Sequence, residues 1–202
     1  MADKPRVAIL ISGRGSNMSA LLAAARADDC PHDIALVFSN VGDAEGLAIA
    51  RDQRIATATL DHRGQDRAIF DGKVDALLKE ADVSHVALAG YMRMLSPGFV
   101  AAWQGRMINI HPSLLPSFPG LNTHASALAA GVKVHGCTVH FVTDDLDGGP
   151  IIAQAAVAVH DNDDVTSLAA RVLAEEHRIY PPALAALTAG RLKIEGRFVK
   201  SA

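Results

Sequence analysis

Arg6-Val7-Ala8-Ile9-Leu10-Ile11-Ser12-Gly13-Arg14-Gly15-Ser16-Asn17 decides the architecture. Its first half is a short continuous apolar run, as expected of a strand buried on both faces. Its second half is glycine-rich and opens into Met18 to Arg26, which has the alanine and leucine content of a helix. Ile34 to Phe38 is a second buried-type run, followed by an Ala/Glu/Leu helix near Ala44 to Asp52. A longer helical stretch from about Gln65 to Lys79 precedes a third run, His85 to Ala89. A short helical piece precedes the fourth, Arg106 to Ile110. Strands alternating with helices in this way predict an α/β domain with an open, largely parallel, twisted sheet and helices on both faces, in the Rossmann-like manner.

Beyond Ile110 the pattern changes. His111 to Asn122 holds three prolines and a glycine and reads as a long surface loop, the kind that serves as a lid or binding loop. Two strand-like segments, about Val134 to Val142 and Ile151 to Val159, flank Thr143-Asp144-Asp145-Leu146-Asp147-Gly148-Gly149-Pro150. A helix near Asp164 to Leu187 follows, and Arg191 to Lys200 alternates around Glu195-Gly196 as a hairpin would. No repeat or linker divides the 202 residues, so a single domain over 1–202 is expected.

Composition narrows the class. Lys+Arg 19 against Asp+Glu 22 gives a formal charge of −3, which carries neither a basic nucleic-acid footprint nor a polybasic membrane patch. No apolar stretch reaches the roughly 18 residues of a membrane span, and the first residues lack a secretory apolar region. Cys30 and Cys137 have no C-x-x-C spacing, which fits a reducing compartment and argues against structural zinc. The histidines show no His-x-x-x-His pairing, so no catalytic metal is expected either. These features predict a cytoplasmic protein with neither nucleic-acid nor membrane partners.

Three constellations carry chemistry. Gly13 to Asn17 lies between the first strand and the first helix, where backbone N–H groups and the helix dipole favour an anion. The G-x-G-x-x-G fingerprint fails because Met18 stands where its third glycine belongs, and no Gly-Lys-Ser/Thr follows. The segment is therefore either a monophosphate site, with Ser16 and Asn17 adding side-chain bonds, or a tight turn with Ser16 as helix N-cap. Asn109 and His111 alternate along a strand end, so both project from one face, and Pro112 holds His111 extended. They are either a hydrogen-bonded strand terminus or an amide and imidazole set to stabilise an oxyanion and deliver a proton. The aspartates between Thr143 and Pro150 form an acidic surface turn, a cation site, or the carboxylate that orients His111. Cys137, beside His135 in a strand-like segment, reads as a buried, inert thiol.

The chain resembles a known family at Ile11-Ser12-Gly13-x-Gly15-Ser16-Asn17, Ala89-Gly90-Tyr91-Met92-Arg93-Met94-Leu95, Asn109-Ile110-His111-Pro112-Ser113-Leu114-Leu115-Pro116 and Asp145-Leu146-Asp147-Gly148-Gly149-Pro150. It looks like the phosphoribosylglycinamide formyltransferases, the folate-dependent glycinamide ribonucleotide transformylases, from Val7 to about Leu192. The Asn-x-His-Pro run is shared with methionyl-tRNA formyltransferase and 10-formyltetrahydrofolate hydrolase, whose extra tRNA-binding and regulatory domains have no counterpart here. The phosphate loop narrows the resemblance to the transformylases, and the hydrolase is the alternative.

The resemblance implies formyl transfer from 10-formyltetrahydrofolate, as co-substrate and without a metal, to the amine of glycinamide ribonucleotide in purine biosynthesis. Both partners are small molecules, and the protein is expected to be a monomer or homodimer. Asn109, His111 and Asp147 would be catalytic, with Asp147 keeping His111 protonated. Gly15, Ser16 and Asn17 would hold the substrate phosphate and Glu176 its ribose. Arg67, Met92, Arg93, Met94 and Leu95, with Asn109 and Thr143, Asp144, Asp145, Leu146 and Asp147, would contact the folate. The part from 1 to about 105 would then bind the nucleotide phosphate, and the part from about 106 to 202 would hold the catalytic and folate groups. Arg14 departs from the small polar residue or asparagine often found at its position, and either adds a phosphate contact or is solvated.

Overall fold

The computed structural model describes residues 4–201. The strands are β1 (Arg6–Ile11), β2 (Asp33–Ser39), β3 (Thr57–Thr59), β4 (His85–Leu88), β5 (Met107–His111), β6 (Val134–Phe141) and β7 (Ile151–Ala158). They form one sheet in the order β3-β2-β1-β4-β5-β6-β7, parallel from β3 to β5 and antiparallel from β5 to β7. The helices are α1 (Ser16–Ala24), α2 (Glu45–Asp52), α3 (Arg67–Glu80), α4 (Pro97–Ala102), α5 (Thr123–Ala129) and α6 (Val165–Thr188). A hairpin of β8 (Leu192–Glu195) and β9 (Phe198–Ser201) closes the description.

The continuous apolar run of β1 has a direct cause. Val7, Ile9 and Ile11 enter one core with residues of α1, α2 and α6, whereas Ala8 and Leu10 enter a second with residues of α3 and α4. Each face of the central strand is thus dry, and no polar alternation survives. Tyr180 of α6, fully buried, donates its hydroxyl hydrogen to Leu88 O at 2.9 Å, with Ile108 O at 3.2 Å, and so pins the long helix beneath β4 and β5. No helix among the described residues is long and apolar enough to cross a membrane.

The short strand β3 and the helix α5 were not anticipated from sequence. Thr57-Ala58-Thr59 is an edge strand of three residues, too short to show a period. Helix α5 has only seven residues and starts from Asn122 in the left-handed region, φ 58°, without a side-chain cap, so it is too short to show a clear helical period. The reading of Ser16 as helix N-cap is also corrected. Gly15 occupies that position at φ 76°, a conformation glycine adopts without strain, and no side chain caps the helix.

Candidate active site

Chain order reverses at β1, whose neighbours are β2 and β4, and the crevice beyond their carboxyl ends is where open α/β sheets bind ligands. Two bonds stitch the loops across it: Ser12 N–H to Gly90 O at 3.1 Å and Met92 N–H to Ser12 Oγ at 2.7 Å. Two cavities open on either side of this seam. The larger, about 730 Å³, is lined by Ser12 to Asn17, Met92, Ile110, His124 and the α6 face carrying Thr166, Leu173 and Glu176. The smaller, about 190 Å³, is lined by Arg67, Tyr91, Arg93 to Leu95, Asn109, His140 and Val142 to Asp147.

In the larger cavity the glycine loop is held open by a second glycine. Gly46 N–H bonds Gly13 O at 3.1 Å, and a Cβ built on Gly15 would lie 3.0 Å from Gly46 Cα. Gly46 was invisible as a loop partner because it sits thirty residues away in an ordinary helix. Asn17 Nδ2–H donates to Glu176 Oε2 at 2.6 Å, which brings two residues singled out separately into direct contact. Burial pushes the Glu176 carboxyl up, opposed by the Asn17 bond and by the charge of His111. Asn17 Oδ1 is buried without a partner, an acceptor still open to a hydroxyl.

The smaller cavity carries Asn109 and Asp147 but not His111. His111 is 5% exposed because the segment after it folds back: its Nε2 lies 3.0 Å from Phe118 O and its Nδ1 3.4 Å from Asp147 Oδ2. The same Asp147 Oδ2 accepts Gly120 N–H at 2.8 Å. Asp147 reaches this place in the left-handed region, φ 52°. The expectation of a surface loop over 111–122 holds for the part from Pro116 onward, where Pro116, Ser117, Pro119, Leu121 and Asn122 are exposed, and is corrected for the part before it. Ser113 and Leu115 are buried, Thr138 Oγ1 donates to Ser113 O at 2.7 Å and accepts Leu115 N–H at 3.0 Å, and Gln154 Nε2 donates to Leu115 O at 2.9 Å. The Leu115–Pro116 peptide is cis. Polar backbone can be buried here because β6 and β7 supply its partners.

His140 is a residue of the candidate site that sequence reasoning missed. Antiparallel pairing sets it opposite Asn109, and Asn109 Nδ2 lies 3.2 Å from its Nε2. His140 Nδ1–H donates to Phe141 O at 2.9 Å, so Nε2 is the acceptor that turns the Asn109 amide. Burial drives the His140 imidazole down from its ordinary value, although Phe141 O and Asp147 pull the other way. No motif marks a single histidine inside an apolar strand; only the pairing register reveals it.

Met92 lines the larger cavity, not the folate wall expected of it, whereas Arg93, Met94 and Leu95 line the smaller one. The segment is a partition between them. Each cavity draws residues from both sides of position 105. Cys137 is fully buried and its thiol is pushed up to about 12, chiefly by burial, which makes it inert. Among the described residues no three His, Cys, Asp or Glu side chains group to hold a metal.

An open doubly wound sheet with a ligand crevice beyond its strand ends defines an α/β enzyme class, and similarity narrows it. The chain belongs to the formyl transferase family, whose model matches residues 5–184. It is 47% identical over 192 residues to phosphoribosylglycinamide formyltransferase of Escherichia coli, covering 93% of this chain and 89% of that one. Over 192 residues it is 46% identical to the human trifunctional purine biosynthetic protein adenosine-3, covering 95% of this chain but only 19% of that protein. Glycinamide ribonucleotide transformylase 1 from Symbiobacterium toebii superposes with a TM-score of 0.96 at 46% identity, over 100% of this chain and 95% of that one.

Proposed function

We propose that the protein is a phosphoribosylglycinamide formyltransferase, moving the formyl group of 10-formyltetrahydrofolate to the amine of glycinamide ribonucleotide and releasing tetrahydrofolate. The observation that carries this reading is the pairing of two chemically different cavities, the smaller of them lined by Asn109 and by the Asp147 that lies against His111. One offers glycine-loop amides and a buried carboxylate, suited to a phosphate and a ribose. The other joins apolar walls to a few polar groups, suited to a flat heteroaromatic ring.

The amine attacks the formyl carbon directly and a tetrahedral oxyanion forms. Asn109 donates to it with the amide hydrogen that His140 does not take, and His111 donates from Nδ1, the nitrogen that rests 3.4 Å from Asp147 Oδ2, while Phe118 O holds Nε2. Asp147, 3.4 Å from Nδ1, orients the imidazole. Collapse moves the proton lost by the attacking amine to N10, which leaves as the secondary amine of tetrahydrofolate. Holding two substrates in attack geometry supplies much of the acceleration. The test is the absorbance change of folate release from 10-formyltetrahydrofolate with and without glycinamide ribonucleotide. Release that requires the ribonucleotide supports transfer; equal release without it identifies a hydrolase.

A further inference from the structure

The smaller cavity has two walls from separate elements. Helix α3 brings Arg67, and the segment after β4 brings Tyr91, Arg93, Met94 and Leu95. The lining residues do not themselves explain what sets the separation of these walls. Asp71 does. It lies one turn beyond Arg67 on α3, is 1% exposed, and is absent from the cavity lining. Its Oδ2 accepts the Ser96 backbone N–H at 2.5 Å, where the segment ends and α4 begins. Ser96 in turn caps α4, its Oγ accepting from Phe99 N–H at 3.4 Å.

A second observation lies in the same seam. Asp71 Oδ1, the Tyr91 hydroxyl and Arg93 Nε are all buried without a hydrogen-bond partner. One is a charged acceptor and the other two are donors. The Arg93 guanidinium stacks 4.6 Å from the centroid of the Phe70 ring, the residue preceding Asp71. The Tyr91 phenol is pushed up first by burial and next by the Asp71 charge, with Arg93 opposing. Buried donors and an acceptor left open are costly until they are paired.

Resting on the assignment of this cavity to the formyl-folate, we propose that Asp71 is a positioning residue for that substrate. Its carboxylate ties the 91–96 wall to α3, fixing Arg93 to Leu95 at a set distance from Arg67, and its free oxygen receives Tyr91 O–H and Arg93 Nε–H as the walls close on a bound ring. It touches neither substrate.

The test is a split of the two Michaelis constants in four variants, with wild-type turnover measured alongside to decide the functional reading separately. Asp71→Ala raises KM for 10-formyltetrahydrofolate about tenfold and leaves KM for the ribonucleotide within about twofold. Asp71→Asn keeps an oxygen for Ser96 N–H but sets an NH2 donor against Arg93 Nε–H, so it recovers only the part of that loss that the tie carries. Ser96→Pro removes the N–H at a position whose φ of −75° suits proline, and Ser96→Ala removes only the cap hydroxyl. The proline variant reproduces the rise in folate KM and the alanine variant does not, so the tie is tested even if Asp71→Ala fails to fold. Folded Asp71→Ala and Ser96→Pro proteins with unchanged folate KM, or with both constants raised equally, would overturn the proposal.

Discussion

Asn109 and His140 face each other across the antiparallel pair β5–β6, amide nitrogen to imidazole nitrogen at 3.2 Å. Without this contact the Asn109 amide is free to rotate about its terminal torsion, which is broad and roughly two-fold. His140→Ala should therefore lower kcat by about 10–100-fold, the scale of misplacing a reacting group by a fraction of an ångström to an ångström. His140→Gln, whose carbonyl can accept the same hydrogen, should lose less. Steady-state kinetics at saturating substrates checks both.

His111 and Asp147 meet at 3.4 Å beneath the folded 112–122 segment. His111→Ala should reduce kcat by about 10²–10⁴ while leaving substrate binding nearly intact, as expected for a proton-donating group that acts in the transition state. Asp147→Ala removes the acceptor of Gly120 N–H as well as the charge beside His111. It should raise amide deuterium uptake across 112–122 in addition to slowing turnover. Unchanged exchange at Gly120 would show that Asp147 does not hold the segment.

Gly15 has φ 76°, and a Cβ there would crowd Gly46 Cα at 3.0 Å. Gly15→Val should raise KM for the ribonucleotide far more than for the folate, because strain and crowding both fall on the anion loop. Inorganic phosphate should compete with the ribonucleotide and not with the folate. Gly46→Ala should act in the same direction, since its Cβ would meet Ile11 Cδ1 at 2.5 Å and press on Gly13 and Gly15.

Arg67 begins α3 in an exposed position on the rim of the smaller cavity. An exposed guanidinium pairing with the glutamate carboxylate of the folate is screened by water, so Arg67→Ala should cost about 1 kcal/mol, roughly fivefold in affinity. The loss should shrink at high salt and vanish for an analogue lacking the glutamate. Equal weakening of both analogues would separate Arg67 from that carboxylate.

His32 is buried 2.9 Å from Thr188 Oγ1, and burial drives its imidazole down to about 4 against the opposing charge of Asp33. Below the ordinary value near 6.5 the unfolded chain binds a proton that the folded chain refuses. The stability is complete above about pH 6.5 and falls as pH drops towards about 4, by about 3 kcal/mol. Urea unfolding at several pH values should show this slope, and His32→Gln should flatten it.

The elements whose reading needs only local pattern were legible in the chain. β1 announces itself because both its faces are dry, and the glycine loop because a positive φ at Gly15 demands glycine. Asn109 and His111 could be placed on one strand face from alternation alone. The strand β3 and helix α5 were not legible, because three edge residues show no period and seven helical ones are too few for a clear one. The packing of 112–122 was hidden for another reason: its partners Thr138 and Gln154 lie on later strands.

Sequence by itself determined the order of most strands and helices along the chain, β3 and α5 excepted, because period, glycine and proline act over a few neighbouring residues. Only the tertiary structure decided which of their residues meet. The Asn17–Glu176 bond, the Asn109–His140 pair, the Gly15–Gly46 approach and the Asp71–Ser96 tie each join residues on different elements. Met92 and Arg93 are consecutive, yet they line different cavities. Hydrogen bonds and close packing act over a few ångströms of space, and sheet order and strand register, not distance along the chain, set which groups come within that reach.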